Sequence, residues 1–333
     1  MASHRTRRGN PSRWSGRTVC IAVAASLALA AGARGGEYPD RPVRMIVPFP
    51  AGGTADLLPR LIADRLSRKW SESVVIDNRP GAGGNIGTEL FSHADPDGYT
   101  LLATPPGPLT INQDLYPRLE FDPAAFVPVT IIARVPNALL INPRVPADSV
   151  DALIALARAN VRKLSAATQG NGTTSHLTTE LFQSMAGVRF VQVPYRGSAP
   201  ALQGLVAGDV DLMFDNLGAS LPLVRNGQLK LLAVASERRM ASLPDIPTVA
   251  ETLPGFSAAT WIAVMAPPKT PDIIVHKLNV DILEVLRDPA LEPRLNELSA
   301  EPLGFSQTMT AKYLLEEMQR WHNVIQAAGV TLE

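Results

Sequence analysis

Five short segments of this sequence set glycines, hydroxyls and a few ionisable groups where a ligand could be held. The first is PFPAGGTAD at 48–56. Glycines let a ligand come close to the backbone, and free N–H groups at a helix start attract anions. Phe49, Ala51, Gly52, Gly53, Thr54 and Asp56 are its candidate contacts. Asp56 is expected to cap the following helix, with Pro59 at its third position, where a missing N–H costs nothing. The same glycines also read as a turn required only by strand-to-helix geometry.

The second segment, NRPGAGGNIG at 78–87, comes near a dinucleotide fingerprint, but Ile86 stands where the third glycine belongs. No acidic residue ends the next strand and no lysine follows a glycine, so nucleotide binding is set aside and Asn85 remains as a candidate contact. The third, TQGNGTTSHL at 168–177, brings Thr168, Gly170, Gly172, Thr173, Thr174 and His176. Its hydroxyls and backbone N–H groups could hold a carboxylate without any cation. Ser175 and His176 invite comparison with a hydrolase using Asp215. Neighbours on a helix do not face each other, however, and no G-x-S-x-G elbow is present. His176 reads either as a locally packed helix-start residue or as a ligand contact.

The fourth segment, VPYRGS at 193–198, offers Tyr195 for stacking, Arg196 for an anion and Gly197 for close approach; Arg196 equally suits a solvated surface. The fifth, MFDN at 213–216, offers Asp215, which either orients a ligand hydroxyl or amine or caps the helix after it. No metal site is expected, because His93, His176, His276 and His322 are scattered and Cys20 is the single cysteine. No cofactor is expected either.

These segments need elements to position them. Apolar runs predict strands over 43–48, 73–77, 99–104, 164–168, 189–194, 210–215 and 229–235. Segments of helical period lie between them at 57–70, 87–94, 148–159, 174–186 and 198–207, which predicts parallel sheet with helices on both faces. All five segments then fall at carboxyl ends of strands, where open α/β sheets bind ligands. Two long helices are expected at 271–287 and 307–328, the second ending at Gly329. The apolar stretches 126–143 and 260–266 have no helical period, as two crossing hinge strands would show.

The chain has 333 residues, enough for about two domains at roughly 150 each. At 46 % apolar and 19 % charged residues it can bury a core, and 31 basic against 31 acidic residues exclude the excess expected of a nucleic-acid binder. The N-terminus makes that balance misleading. Five arginines and no acid precede an apolar run of about 14 residues, short of the roughly 20 that span a bilayer, and Ala30 or Ala33 offers a cleavage position. Residues 1–33 therefore read as a signal peptide. The mature chain would carry 26 basic and 31 acidic residues, a net −5 without cysteine, as a soluble exported protein.

Taken in order, YPDRPVRMIVPFPAGGTAD, VVIDNRPGAGGNIGTE, DPDGYTLL, GNGTTSHLTTELFQSMAGV, VPYRGSAPALQGLVAGDVDLMFDN and LPDIPTVAETLPGF resemble the tripartite tricarboxylate transporter substrate-binding family, the periplasmic Bug receptors. The resemblance runs from Tyr38 nearly to the C-terminus. It implies an α/β, type-II periplasmic-binding-protein fold: two α/β lobes joined by two crossing strands, with a ligand cleft between them. The implied lobes are 37–137 with 260–333, and 138–259. The loop 49–56 would grip one ligand carboxylate through backbone groups and water, while 168–176 and the 195–197 turn would form the opposite wall. Asp215 would lie near the distal end of the ligand, and Thr104 at a strand end facing the cleft. Pro59, Thr168 and Arg196 stand where alanine, serine and lysine are usual, and TPPGP at 104–108 is unusually rich in proline. The implied role is a non-enzymatic, monomeric periplasmic receptor that hands a small carboxylate to membrane permease subunits; the alternative is a sensor presenting it to a histidine kinase.

Overall fold

Unbroken runs of Val, Ile, Leu and Met form the central strands, because a strand covered on both faces needs no polar alternation. In VRMIV, for example, Val43, Met45, Ile46 and Val47 are fully buried. The computed structural model describes residues 1–4, 38–159 and 164–331. The chain divides into two compact units, Met1–Asp40 and Arg41–Glu333. Beyond residues 1–4, the expected leader with its cleavage positions at Ala30 and Ala33 lies outside the described residues. All the regular elements among the described residues belong to the second unit.

Strand and helix alternate through β1 (Val43–Val47), α1 (Thr54–Trp70), β2 (Val74–Asn78), α2 (Asn85–Ser92) and β3 (Thr100–Thr104). A π-helical turn at Gly107–Ile111 leads into the short α3 (Asn112–Leu115) and then the long β4 (Val127–Ile141). Next come α4 (Val150–Ala159), β5 (Ser165–Thr168), α5 (Thr174–Ala186), β6 (Val191–Pro194), α6 (Ser198–Ala207), β7 (Leu212–Asn216), α7 (Leu217–Arg225) and β8 (Lys230–Val234). The last described elements are β9 (Ala259–Ala266), α8 (Asp272–Leu286), α9 (Glu292–Glu297), β10 (Glu301–Pro302) and α10 (Gln307–Ala328). Gly329 caps α10 in the left-handed conformation, as expected.

The strand order is β2-β1-β3-β9-β4-β7-β5-β6, with β8 and β10 also pairing with β4. β1 runs parallel to β2 and β3, and β5 runs parallel to β6 and β7. The expectation of parallel sheet holds within each half. Every antiparallel pairing among the described residues involves β4 or β9. β4 pairs with β9 from Val127 to Pro136, and from Asn137 to Ile141 it lies between β7 and β8. It thus leaves one α/β lobe and enters the other, and β9 returns. This is the type-II periplasmic-binding-protein arrangement.

Side-chain alternation along β4 builds two cores in the second lobe. Leu139 and Ile141 join Phe182, Phe214 and Phe256 on one face, while Ala138 and Leu140 join Met213, Leu217 and Leu205 on the other. The three buried phenylalanines contact one another edge-on or tilted, and each contributes roughly 1.5–3 kcal/mol by leaving water. In the first lobe Ile46, Leu102, Phe91, Trp261 and Met265 share a core.

Two helix starts differ from expectation. α1 begins at Thr54 with Gly53 as its N-cap, so Asp56 sits in the first turn rather than at the cap. Its carboxylate reaches back to the Gly52 N–H at 3.0 Å, which satisfies a donor outside the helix. Pro59 consequently lies inside α1. Asp215 does not cap α7 either: Asn216 occupies the N-cap, and the Asp215 side chain is spent on the start of α6. The helix α7 itself escapes a pattern reading because Pro222 interrupts it.

Candidate functional site

The carboxyl ends of β1, β3, β5 and β7 converge on the cleft between the lobes. Phe49, Ala55, Pro105 and Gly107 from one lobe, Gln169, Thr173, Thr174 and Asn216 from the other, and Thr260 of β9 line a narrow cavity of about 10 Å3, room for roughly one water molecule. None of these side chains carries a charge. α1 and α5 each present an N-terminus at this level, so unpaired N–H groups supply positive potential where no cation lines the wall.

On the first-lobe side the loop after β1 is held from behind. The pKa of Asp56 is lowered from its ordinary value; burial opposes this, and hydrogen bonds from Arg60, Asn78 and the Gly52 N–H outweigh it. Asn78 donates to both Asp56 Oδ1 and the Phe49 carbonyl at 2.9 Å, tying β2 to the loop. Asp56 therefore supports the loop, and its carboxylate is already occupied by protein donors. Thr54 is the opposite case: its Oγ1 is buried without a hydrogen-bond partner among the described residues. Ala51 and Gly52 are exposed, and Gly53 is buried where a Cβ would stand 3.3 Å from Ser198 Cβ of the other lobe.

On the second-lobe side Thr173 caps α5, accepting from the His176 N–H at 3.3 Å and donating to the Gly170 carbonyl at 2.7 Å. The Gly170 N–H donates to Thr168 Oγ1 at 3.3 Å. His176 is buried, with Nδ1 accepting from the Gly172 N–H, and burial pulls its pKa down to about 4. It is neutral at pH 7, and its ring bonds locally to the Gly172 N–H. Ser175 Oγ donates to the Phe214 carbonyl, and Asp215 hydrogen-bonds to Gln169 and Ser198, so Ser175, His176 and Asp215 form no catalytic relay.

The remaining candidates divide. Gly197 approaches Pro50 across the cleft, with a Cβ position 3.1 Å away. Tyr195 packs its ring against Gly204 of α6 within the second-lobe core, and Arg196 is exposed beside it. Asn85 Oδ1 accepts from Asn112 Nδ2 at 2.6 Å, and Thr104 is fully buried, donating to the Pro105 carbonyl at 3.2 Å. Gln169, Asn216 and Thr260 were not candidates from the sequence, whereas Pro105 and Gly107 belong to the TPPGP segment that the sequence places at the cleft. Gln169 and Asn216 lay inside quoted segments, and their side-chain amides were the available signal. Thr260 had none, because it reaches the cleft only through the crossing of β9.

A roomier groove, about 620 Å3, runs along the 235–242 segment, Arg134 and Glu301. Arg134 is paired with Glu301 and Arg239 with Glu251, and none of the buried unpartnered side-chain atoms lines it. The cleft is the better candidate despite its size. Among the described residues there is no cluster of three metal-ligating side chains and no helix long and apolar enough to cross a membrane.

Residues 58–330 match the sequence profile of the family described as "Tripartite tricarboxylate transporter family receptor". The chain is 38 % identical over 312 residues to Protein BugT of Bordetella pertussis, covering 93 % of this chain and 96 % of that protein. Its structure superposes on R. palustris Rpa4515, solved with adipate, with a TM-score of 0.87 at 42 % identity, covering 89 % of this chain and all of that one. MatC from Rhodopseudomonas palustris, with bound malate, matches with a TM-score of 0.82 at 32 % identity, over 86 % of this chain and 100 % of the other. By sequence and by fold, the chain belongs to the tripartite tricarboxylate transporter receptor family, whose members are solute-binding receptors rather than enzymes.

Proposed function

We propose that this protein is a periplasmic receptor that captures a small carboxylated metabolite between its lobes and delivers it to the membrane permease of a tripartite tricarboxylate-type transporter. The observation that carries the reading is Thr54: a buried hydroxyl without a partner among the described residues, at the first position of α1 and next in sequence to Ala55, which lines a wall that holds no charge. A carboxylate oxygen there would accept from Thr54 Oγ1 and from first-turn N–H groups, meeting the donors left over by the fold. Adipate in Rpa4515 and malate in MatC support the ligand class. The lobes pivot where β4 and β9 cross, near 137 and 259, and residues 1–33 direct export.

Calorimetry on ligand-stripped protein against di- and tricarboxylates, aromatic carboxylates and acidic amino acids tests this. At least one class is expected to bind, and Thr54→Val is expected to weaken it by about tenfold or more without loss of stability, since the unmet hydroxyl contributes nothing to folding. Failure of every carboxylate to bind would overturn the reading.

A further inference from the structure

We infer that Gln169 makes this cleft selective for carboxylates that also carry a hydrogen-bond donor, a hydroxyl or an ammonium, on the part of the ligand facing the second lobe. The inference rests on the carboxylate-receptor reading and sharpens it.

The argument is one of orientation. Thr178 Oγ1 donates to the Thr174 carbonyl at 2.6 Å, so its hydroxyl proton is committed. Facing that hydroxyl oxygen and that carbonyl, both acceptors, Asn137 must present its Nδ2, at 2.6 and 3.4 Å. Asn137 Oδ1 then accepts from Asn216 Nδ2 at 2.9 Å, which leaves Asn216 Oδ1 pointing at Gln169, where it accepts from Nε2 at 3.2 Å. From the other side, Asp215 Oδ1 accepts from the same Gln169 Nε2. Asp215 is fully buried, and Ser198 Oγ, 2.9 and 3.0 Å from its two oxygens, is its other side-chain donor.

Both Nε2 protons of Gln169 are therefore consumed, and two independent neighbours agree on which way the amide points. Gln169 lines the cleft, and its Oε1 accepts from no described residue. What it can offer a ligand is an acceptor. An acceptor facing a methylene gains nothing, and facing a second carboxylate it repels; facing a hydroxyl or ammonium it forms a bond. A site built to hydrogen-bond a ligand donor rejects the analogue that lacks it, because its own polar group is then buried unpaired.

The test uses the full mature chain, stripped of ligand, with matched probes that differ only at carbon 2: succinate, L-malate and L-aspartate, and likewise glutarate, 2-hydroxyglutarate and L-glutamate. Calorimetry is expected to show the hydroxy or amino member of a series binding about tenfold or more tighter than the plain diacid. The two donor-bearing arms separate hydroxyl from ammonium. Gln169→Leu is expected to bring the ratio close to one. The melting curve and circular dichroism of Gln169→Leu report whether the variant has folded. Equal binding of all three members by the unmodified protein would overturn the inference while leaving the receptor reading intact. Binding of no carboxylate at all would overturn both.

Discussion

His176 and Asp215 are both buried in the second lobe, and burial acts on them in opposite directions. The imidazole is pulled from 6.5 down to about 4, and the carboxyl is pushed from 3.8 up to about 6. As pH falls from 6.5 toward 4, the unfolded chain takes up a proton at His176 that the folded chain refuses, so stability is lost. As pH falls from about 6 toward 3.8, folded Asp215 takes up a proton before the unfolded chain does, so stability is gained. Each effect is worth about 3 kcal/mol at full extent, and over their shared window they offset. We expect urea midpoints of His176→Asn to rise, relative to the parent, between pH 6 and 4, because the Asp215 effect is then unopposed; Asn keeps an acceptor for the Gly172 N–H. A parent-minus-variant difference that does not change with pH would sink this account.

At the scale of elements, the start of α1 is built as a cradle rather than as a capped helix. Gly53 occupies the N-cap without a capping side chain, and Asp56 draws Gly52, Arg60 and Asn78 together behind it. The helix can do without a side-chain cap because tertiary contacts hold its first turn; the Asp56 and Leu57 N–H groups donate to the Gly53 carbonyl, and the Thr54 hydroxyl stays available. Gly53 has an extended, unstrained backbone, so a side chain is tolerated locally, and the obstacle is Ser198 of α6 across the cleft. Gly53→Val is therefore expected to keep the melting temperature within a few degrees of the parent while ligand affinity falls by about tenfold or more. Unchanged affinity in calorimetry would mean that the two walls do not need to meet here.

At the scale of the whole molecule, the lobes touch through glycines. A Cβ on Gly107 would stand 3.0 Å from the Gly172 carbonyl, and one on Gly83 would stand 2.7 Å from the Asn171 carbonyl. Gly172 has φ +77° and lies against Asn112 Oδ1, which has no hydrogen-bond partner among the described residues. Beside this contact Leu177 of α5 packs with Ile111 and Leu115 of the first lobe and with Trp321 and Ile325 of α10, an apolar seam across the cleft. In the proposed capture mechanism, closure is a rigid-body event that depends on bare backbone at one corner and apolar burial at its side. Gly172→Ala would overlap the Asn112 amide and strain a left-handed backbone, which shifts the population toward open lobes. Small-angle scattering should show a larger radius of gyration that no longer contracts on adding a bound carboxylate. Normal contraction with full affinity would count against this mechanism.

Much of this was legible in the residues themselves. The alternation of apolar runs with helical period, the glycine-and-hydroxyl segments at strand ends and the two extended crossings depend on local chemistry, and local chemistry is written in order along the chain. The start of α1 was misread because Asp56 suits a cap by type, whereas its real partners, Asn78 and the Phe49 loop, come from β2 and β1. Gln169 escaped notice for the same reason: its meaning depends on Asn216, Asn137 and Asp215, which lie 32 to 47 positions away and meet only when β4, β5 and β7 lie side by side. The sequence by itself determined the fold class, the family and the glycine-and-hydroxyl character of the segments at the strand ends. Tertiary structure alone decided which polar atoms the fold satisfies and which it leaves to a ligand, because a hydrogen bond is settled by the partner across the sheet rather than by the neighbour along the chain.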